Sequence, residues 1–109
     1  MTASGKLIEL LRVLLIRTRE GRAPWSPGSR DDTYIWSGSN ASVAILTKDN
    51  DGQQPWKIQL FDSNGRVIED ETFMPTDPNF PLVGELYTLA RSDALDITSA
   101  IDGLLEDLS

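Results

Sequence analysis

The chain of 109 residues contains neither cysteine nor histidine. Without cysteine, no disulfide framework and no thiolate metal site can form. Without histidine, the Ser-His-Asp and Cys-His forms of nucleophilic catalysis are absent, and so are most zinc and iron sites. No glycine-rich phosphate loop or dinucleotide fingerprint is present either. These absences favour a protein that is not an enzyme and that uses no metal or other cofactor.

Long apolar runs are also missing. A membrane-spanning helix needs about 20 apolar residues, whereas the longest run here, Leu7 to Ile16, is interrupted by Glu9 and Arg12. No small-residue cleavage site follows this run, so it does not fit a secretory signal. We therefore expect a cytoplasmic protein with no membrane partner, and the length of the chain is typical of a single domain.

Positive charge is scarce beyond the first 30 residues. The net charge is −7, but residues 1–30 carry six cations and two acids, a net of +4, while the rest of the chain has a net charge of −11. Because phosphate neutralisation drives nucleic-acid binding, the acid excess argues against nucleic acid as a partner. The excess either keeps the protein soluble or forms an acidic face that binds a basic protein.

The N-terminal segment predicts a helix over residues 4–20. Thr2 or Ser4 can cap it, and Gly21 stands where a helix usually stops. Its apolar residues are more numerous than one buried stripe requires: Leu7, Ile8, Leu10, Leu11, Val13, Leu14, Leu15 and Ile16. Such a helix is covered on more than one side. It is either buried between a sheet and a second helix, or it has one face on its own sheet and another on a second protomer or partner.

Four runs with period-2 alternation predict strands at about 33–37, 41–47, 55–61 and 66–72. The connections between them are short and rich in turn residues, and Asn64-Gly65 is the strongest hairpin signal. Short connections imply antiparallel neighbours, so we expect a four-stranded β-meander. Residues 21–32 predict an irregular connection, in which Trp25 packs back onto the core.

The C-terminal segment has apolar residues spaced by three and four positions over 81–108, which predicts one long helix of about 40 Å at 1.5 Å per residue. Pro81 suits its first turn. A kink or a break near Ser92–Asp96 is the alternative, because Asp93 and Asp96 are good N-cap residues. The predicted fold is therefore a two-layer α+β domain, in which the N-terminal helix and the long C-terminal helix pack on one face of the meander.

Acidic clusters offer little support for catalysis or metal binding. Asp49-Asn50-Asp51-Gly52 lacks the further ligands of a calcium loop and fits a hairpin turn. Asp31-Asp32 fits the start of a strand or the cap of a loop. The residues of Glu69-Asp70-Glu71 alternate between the two faces of a strand, so they are expected to lie in solvent. An enzyme that depends on carboxylates is therefore the least favoured function.

The leading hypothesis is a small protein-interaction module that forms a homo-oligomer, most simply a dimer, or joins a larger complex. It would bind through its apolar N-terminal helix and the long C-terminal helix. Trp36 and Trp56 can share one sheet face, either as core residues or as an exposed aromatic platform. The candidate interface residues are Leu7, Leu10, Val13, Leu14, Arg17 and Trp36. The alternative is an inhibitor or immunity-type protein whose acidic surface blocks a basic toxin or nuclease.

Overall fold

The computed structural model describes residues 5–49 and 53–109. Within those ranges the chain forms an N-terminal helix, an antiparallel sheet and two C-terminal helices. In chain order the elements are α1 (Gly5–Arg19), β1 (Ser26–Pro27), β2 (Thr33–Ser37), β3 (Ala41–Thr47), β4 (Trp56–Asp62), β5 (Val67–Phe73), α2 (Phe80–Ala94) and α3 (Ile97–Leu108). The α+β class predicted from the sequence is confirmed.

The sheet is an antiparallel meander in the order β1-β2-β3-β4-β5. The four predicted strands are confirmed to within one residue at each end, but the strand count was wrong, because β1 pairs Ser26 with Ile35 and Pro27 with Tyr34. A two-residue strand that contains proline has no alternation to detect. Proline is tolerated there because β1 is an edge strand, where the missing N–H breaks no ladder hydrogen bond.

The hairpin between β4 and β5 forms at Asn64-Gly65, as the sequence predicts. Of these two residues only Gly65 has a positive φ, of 80°, so the connection is a turn followed by a left-handed glycine and not a turn with two left-handed residues. Asp62 holds the connection, because its carboxylate accepts hydrogen bonds from the N–H groups of Asn64 (2.9 Å) and Arg66 (3.0 Å). The pairing then shifts, so that Leu60 lies opposite Glu69 and Phe61 opposite Val67.

One core lies between the helices and one face of the sheet. Helix α2 packs on the sheet, and α1 packs beside α2. The residues with no exposed surface come from both the helices and the sheet: Leu11, Ile45, Thr47, Ile58, Phe73, Val83, Leu86 and Ala90. Trp36 and Trp56 lie partly buried against this core, so the core interpretation of these two residues is confirmed.

Trp25 fixes the crossing from α1 to the sheet, and its predicted burial is confirmed. Its indole N–H donates to the Thr18 hydroxyl at 3.0 Å, and its backbone N–H donates to the Asp93 carboxylate at 2.7 Å. A residue in the connection is thus bonded to both α1 and α2. This explains why a segment rich in glycine and proline holds one conformation.

The prediction of a single long C-terminal helix was wrong. The helix breaks at Leu95–Asp96, and Asp96 has φ 49° and ψ 47°, the left-handed conformation that only glycine, asparagine and aspartate adopt readily. The alternative of a break near Ser92–Asp96 is the one that the structure shows. The side chain of Asp96 makes no capping hydrogen bond, so it acts by turning the chain between two separate helices.

Two sequence predictions lie outside the described residues. They are the cap of α1 by Thr2 or Ser4 and the turn formed by Asp49-Asn50-Asp51-Gly52, of which only Asp49 is described. Among the helices that are described, none combines the length and the apolar character needed to cross a membrane.

Candidate protein-interaction surface

The six predicted interface residues fall into three groups by exposure. Leu7 and Leu14 lie in the core, so they offer no surface to a partner. They lie on the side of α1 that packs against the rest of the protein. Leu10 and Trp36 are half-buried, and Val13 and Arg17 are exposed. The part of the predicted interface that remains accessible is therefore on α1.

The accessible residues of α1 form one stripe, at Lys6, Leu10, Val13 and Arg17. The spacing of four, three and four residues places them along one side of the helix. Val13 is 46% exposed, and a shallow groove of about 320 Å³ is lined by Lys6, Glu9, Leu10 and Val13. We call Lys6, Leu10, Val13 and Arg17 the α1 stripe. Its centre is apolar and its two ends are cationic.

A larger apolar surface lies on α3, within the C-terminal segment that was predicted to take part in association, although none of its residues was among the six candidates. The large side chains of this surface are exposed, from 51% at Ile101 to 84% at Leu108. The residues repeat at three and four positions and so share one side of the helix. We call this surface the α3 face, and it consists of Ile101, Leu104, Leu105 and Leu108. Every residue from Ser99 to Ser109 is exposed.

By itself α3 is a poor helix. It has 12 residues, and isolated helices shorter than about 12–15 residues are marginal in water. Its N-cap makes no side-chain hydrogen bond, and Gly103 in its interior costs roughly 1 kcal/mol relative to alanine. Glu106 and Asp107 lie at its negative end, where acids are unfavourable. Packing against another surface is the usual source of helix stability that α3 lacks.

The two helices carry opposite charge. Helix α3 contains Asp102, Glu106 and Asp107 and no cation, whereas α1 contains four cations and a single acid, Glu9. Arg19 is paired with Glu85 of α2. The other three cations of α1 (Lys6, Arg12 and Arg17) make no ion pair within the described part of the chain. The α3 face is apolar, and so is the centre of the α1 stripe. The helices that carry these two surfaces have opposite charge.

The exposure of α3 had a signal in the sequence. The predicted helix of about 40 Å is much longer than the predicted sheet of four strands is wide, roughly 15–20 Å at 4.8 Å per strand. The end of such a helix must extend beyond the sheet. The residues at that end include isoleucine and leucine in regular spacing, Ile101, Leu104 and Leu108.

A polar cleft of about 550 Å³ lies between α2 and the connection from β1 to β2. It is lined by Arg30, Asp31, Asp32 and Arg91, among others. The Tyr87 hydroxyl donates to Asp32 at 3.4 Å. Burial, and then the Asp32 carboxylate, raise the pKa of Tyr87 far above its usual value. The phenol therefore stays protonated and holds Asp32, whose φ of 55° is left-handed; this arrangement supports the loop.

The carboxylates of β5 do not converge. Asp70 pairs with Lys57 at 3.2 Å and accepts a hydrogen bond from Gln59 at 3.1 Å. In the pairing of β5 with β4, Glu69 lies opposite Leu60 and Glu71 lies opposite Ile58. Strand alternation places these two side chains on the face of the sheet opposite to that of Asp70. Among the described residues there is no group of three or more acidic side chains placed to hold a metal ion.

Comparisons with protein-family models, with curated proteins and with solved structures found no match to this chain. The case for a function therefore rests on the α3 face and the α1 stripe.

Proposed function

We propose that the protein is a small protein-interaction module that self-associates, and that the α3 face is its main contact surface. The observation that carries this proposal is the exposure of four large apolar side chains on one side of α3. Contiguous exposed apolar patches of this kind mark interaction sites in soluble proteins. The N-terminal helix keeps a part in the contact, but its buried residues Leu7 and Leu14 do not.

Burial of the apolar side chains of the α3 face would stabilise an association. Full burial of a leucine or isoleucine side chain contributes about 1.5–3 kcal/mol, and the α3 face offers four of them. The same burial would stabilise α3 as a helix, because packing of an amphipathic face supplies most helical stability in proteins. Docking and helix formation would thus support each other.

Size-exclusion chromatography with light scattering measures the mass of the protein in solution and tests this proposal. At high micromolar concentration the wild type is expected to elute with twice the 12.1 kDa mass of one chain. Leu104→Asp places a charge in the centre of the α3 face and is expected to return the mass to that of one chain. Its far-ultraviolet circular dichroism should show a folded sheet and folded α1 and α2, because Leu104 is 62% exposed and not part of the core.

The matched control is Ile68→Asp on β5. Ile68 is also an exposed apolar residue, at 57%, but it lies on neither of the two helical surfaces. This variant is expected to keep the mass of the wild type. A wild type that stays monomeric, or a Leu104→Asp variant that still associates, would contradict the proposed function.

A second candidate is an acidic protein that binds a basic partner through the sheet edge. The edge strand β5 carries exposed Glu69 and Asp70 beside exposed Val67 and Ile68, and an extended basic segment could add to it as a further strand. Charges on edge strands also serve to prevent unwanted pairing, so this candidate ranks second. Its test is binding to a basic protein encoded beside it; such binding should weaken steeply with added salt.

A further inference from the structure

We propose that α3 of one copy docks on the α1 stripe of a second copy, and that the two contacts form reciprocally in a twofold dimer. This inference rests on the proposed function, because it assumes that the α3 face is a contact surface. It adds the identity of the receptor surface and the arrangement of the dimer.

Charge selects α1 as the receptor over a second α3. Pairing two α3 helices would bring three acids of each copy together, Asp102, Glu106 and Asp107, with no cation on either helix. Like charges on adjoining helices are destabilising. Pairing α3 with the α1 stripe instead brings these acids toward Lys6 and Arg17, which have no ion pair within the described residues.

Charge alone does not exclude the outer face of the sheet, where Arg30, Lys48 and Lys57 line a cavity of about 360 Å³. The apolar floor of that cavity disfavours it as a receptor. Its two innermost apolar residues, Ala44 and Leu46, are already buried, and Lys57 is paired with Asp70. Its most exposed apolar residue is Val67, at 51%. A helix placed there would also have to cover the polar group of Lys57, Gln59 and Asp70, whereas the centre of the α1 stripe is apolar, with Val13 46% exposed.

Shape and size also fit α1. The lengths of α3 and α1 are roughly 18 and 22 Å at 1.5 Å per residue. The groove lined by Lys6, Glu9, Leu10 and Val13 can receive a leucine of α3. One short helix pair is small compared with the total of about 1,600 Å² buried in a standard interface. Since each copy offers both an α3 face and an α1 stripe, a twofold axis doubles the contact.

Charge reversal in two variants tests this arrangement. The α1 variant carries Lys6→Glu and Arg17→Glu, and the α3 variant carries Asp102→Lys and Asp107→Lys. Each variant alone should be monomeric at concentrations where the wild type is a dimer, because both of its contacts bring like charges together. An equimolar mixture should recover the dimer mass, since acidic α3 then meets basic α1 in one contact and basic α3 meets acidic α1 in the other.

The variants also separate this inference from the proposed function. If Leu104→Asp is monomeric but the α1 variant still dimerises like the wild type, the α3 face is a contact surface and its receptor is not α1; that result overturns the inference alone. If each variant loses the dimer but the mixture fails to restore it, the inference is also overturned. If the wild type is monomeric at every concentration, both proposals fail, and a fold of α3 back onto its own α1 becomes the explanation to examine.

Discussion

Trp56 shows how a single residue sets the contact between the sheet and α2. Its ring stacks on Tyr87, with ring centroids 4.6 Å apart, and on Phe80, with centroids 6.0 Å apart. Within the described residues, its indole N–H is buried without a hydrogen-bond partner. The ring reaches the helix backbone because position 84 is glycine; a Cβ there would lie 2.9 Å from Nε1.

We predict that Gly84→Ala destabilises the protein although alanine is the better helix former. Alanine gains about 1 kcal/mol in a helix interior, but overpacking typically costs about 1–3 kcal/mol. The Trp56 ring stacks on both Tyr87 and Phe80, so a shift away from the new Cβ would weaken these contacts. The expected net loss is about 1 kcal/mol in the free energy of unfolding, measured by urea denaturation.

Gly103→Ala is the matched control for this prediction. A Cβ at Gly103 would have no heavy atom within 4 Å, so only the helix propensity changes and the helix should gain up to about 1 kcal/mol. An increase in stability for Gly84→Ala as large as that expected for Gly103→Ala would show that Trp56 does not restrict position 84.

At the scale of elements, the hairpin between β4 and β5 was well predicted from the sequence. Its turn depends on neighbouring residues, Asp62 to Arg66, and such local preferences can be recognised without the rest of the fold. The break between α2 and α3 was predicted less well, because the apolar spacing continues through Asp96. The left-handed conformation of one aspartate is not determined by that spacing.

We predict that the hairpin makes stability pH-dependent through Asp62. Hydrogen bonds from the Arg66 and Asn64 backbone N–H groups and from the Arg66 side chain lower the pKa of Asp62 below its usual 3.8. A lowered folded-state pKa means that the stabilisation is complete above pH 3.8 and is lost as the pH falls through the folded-state value. The urea midpoint of the wild type should therefore exceed that of Asp62→Asn near neutral pH.

The difference between these two midpoints should shrink as the pH is lowered toward and below 3.8. A difference that stays constant across this range would show that the ionised carboxylate of Asp62 adds nothing to the turn, and that the loss in Asp62→Asn comes only from its altered hydrogen bonds.

At the scale of the whole molecule, the important feature is that α3 extends beyond the core. The molecule measures 52 Å along its longest axis and 25 Å along its shortest, which is long for a two-layer domain of this size. The apolar residues of α1 and α2 that face the core are buried, but the four residues of the α3 face are exposed. Association would complete the burial that a single copy leaves unfinished.

We predict that the protection of α3 depends on protein concentration. In a dilute monomer the amides of residues 97–108 should exchange with solvent almost as fast as in an unfolded chain, since this short helix is marginal by itself. At dimer-forming concentration they should be protected, and the melting temperature should rise, because association stabilises the folded state by mass action. Hydrogen exchange at two concentrations measures this.

Amides in β3 serve as the internal reference, because this strand lies inside the sheet and its exchange should report global unfolding. If α3 is equally protected at both concentrations, its helix is stable without a partner, and docking is not what stabilises it.

The sequence by itself determined the α+β class, the boundaries of four strands to within one residue, the hairpin at Gly65 and the burial of Trp25. These features depend on alternation, helical spacing and turn chemistry between near neighbours, which operate over a few residues. Only the tertiary structure decided that Leu7 and Leu14 belong to the core, that β1 completes the sheet edge and that α3 is left uncovered. Each of these depends on which surfaces meet, and burial is a property of the assembled layers and not of the local sequence.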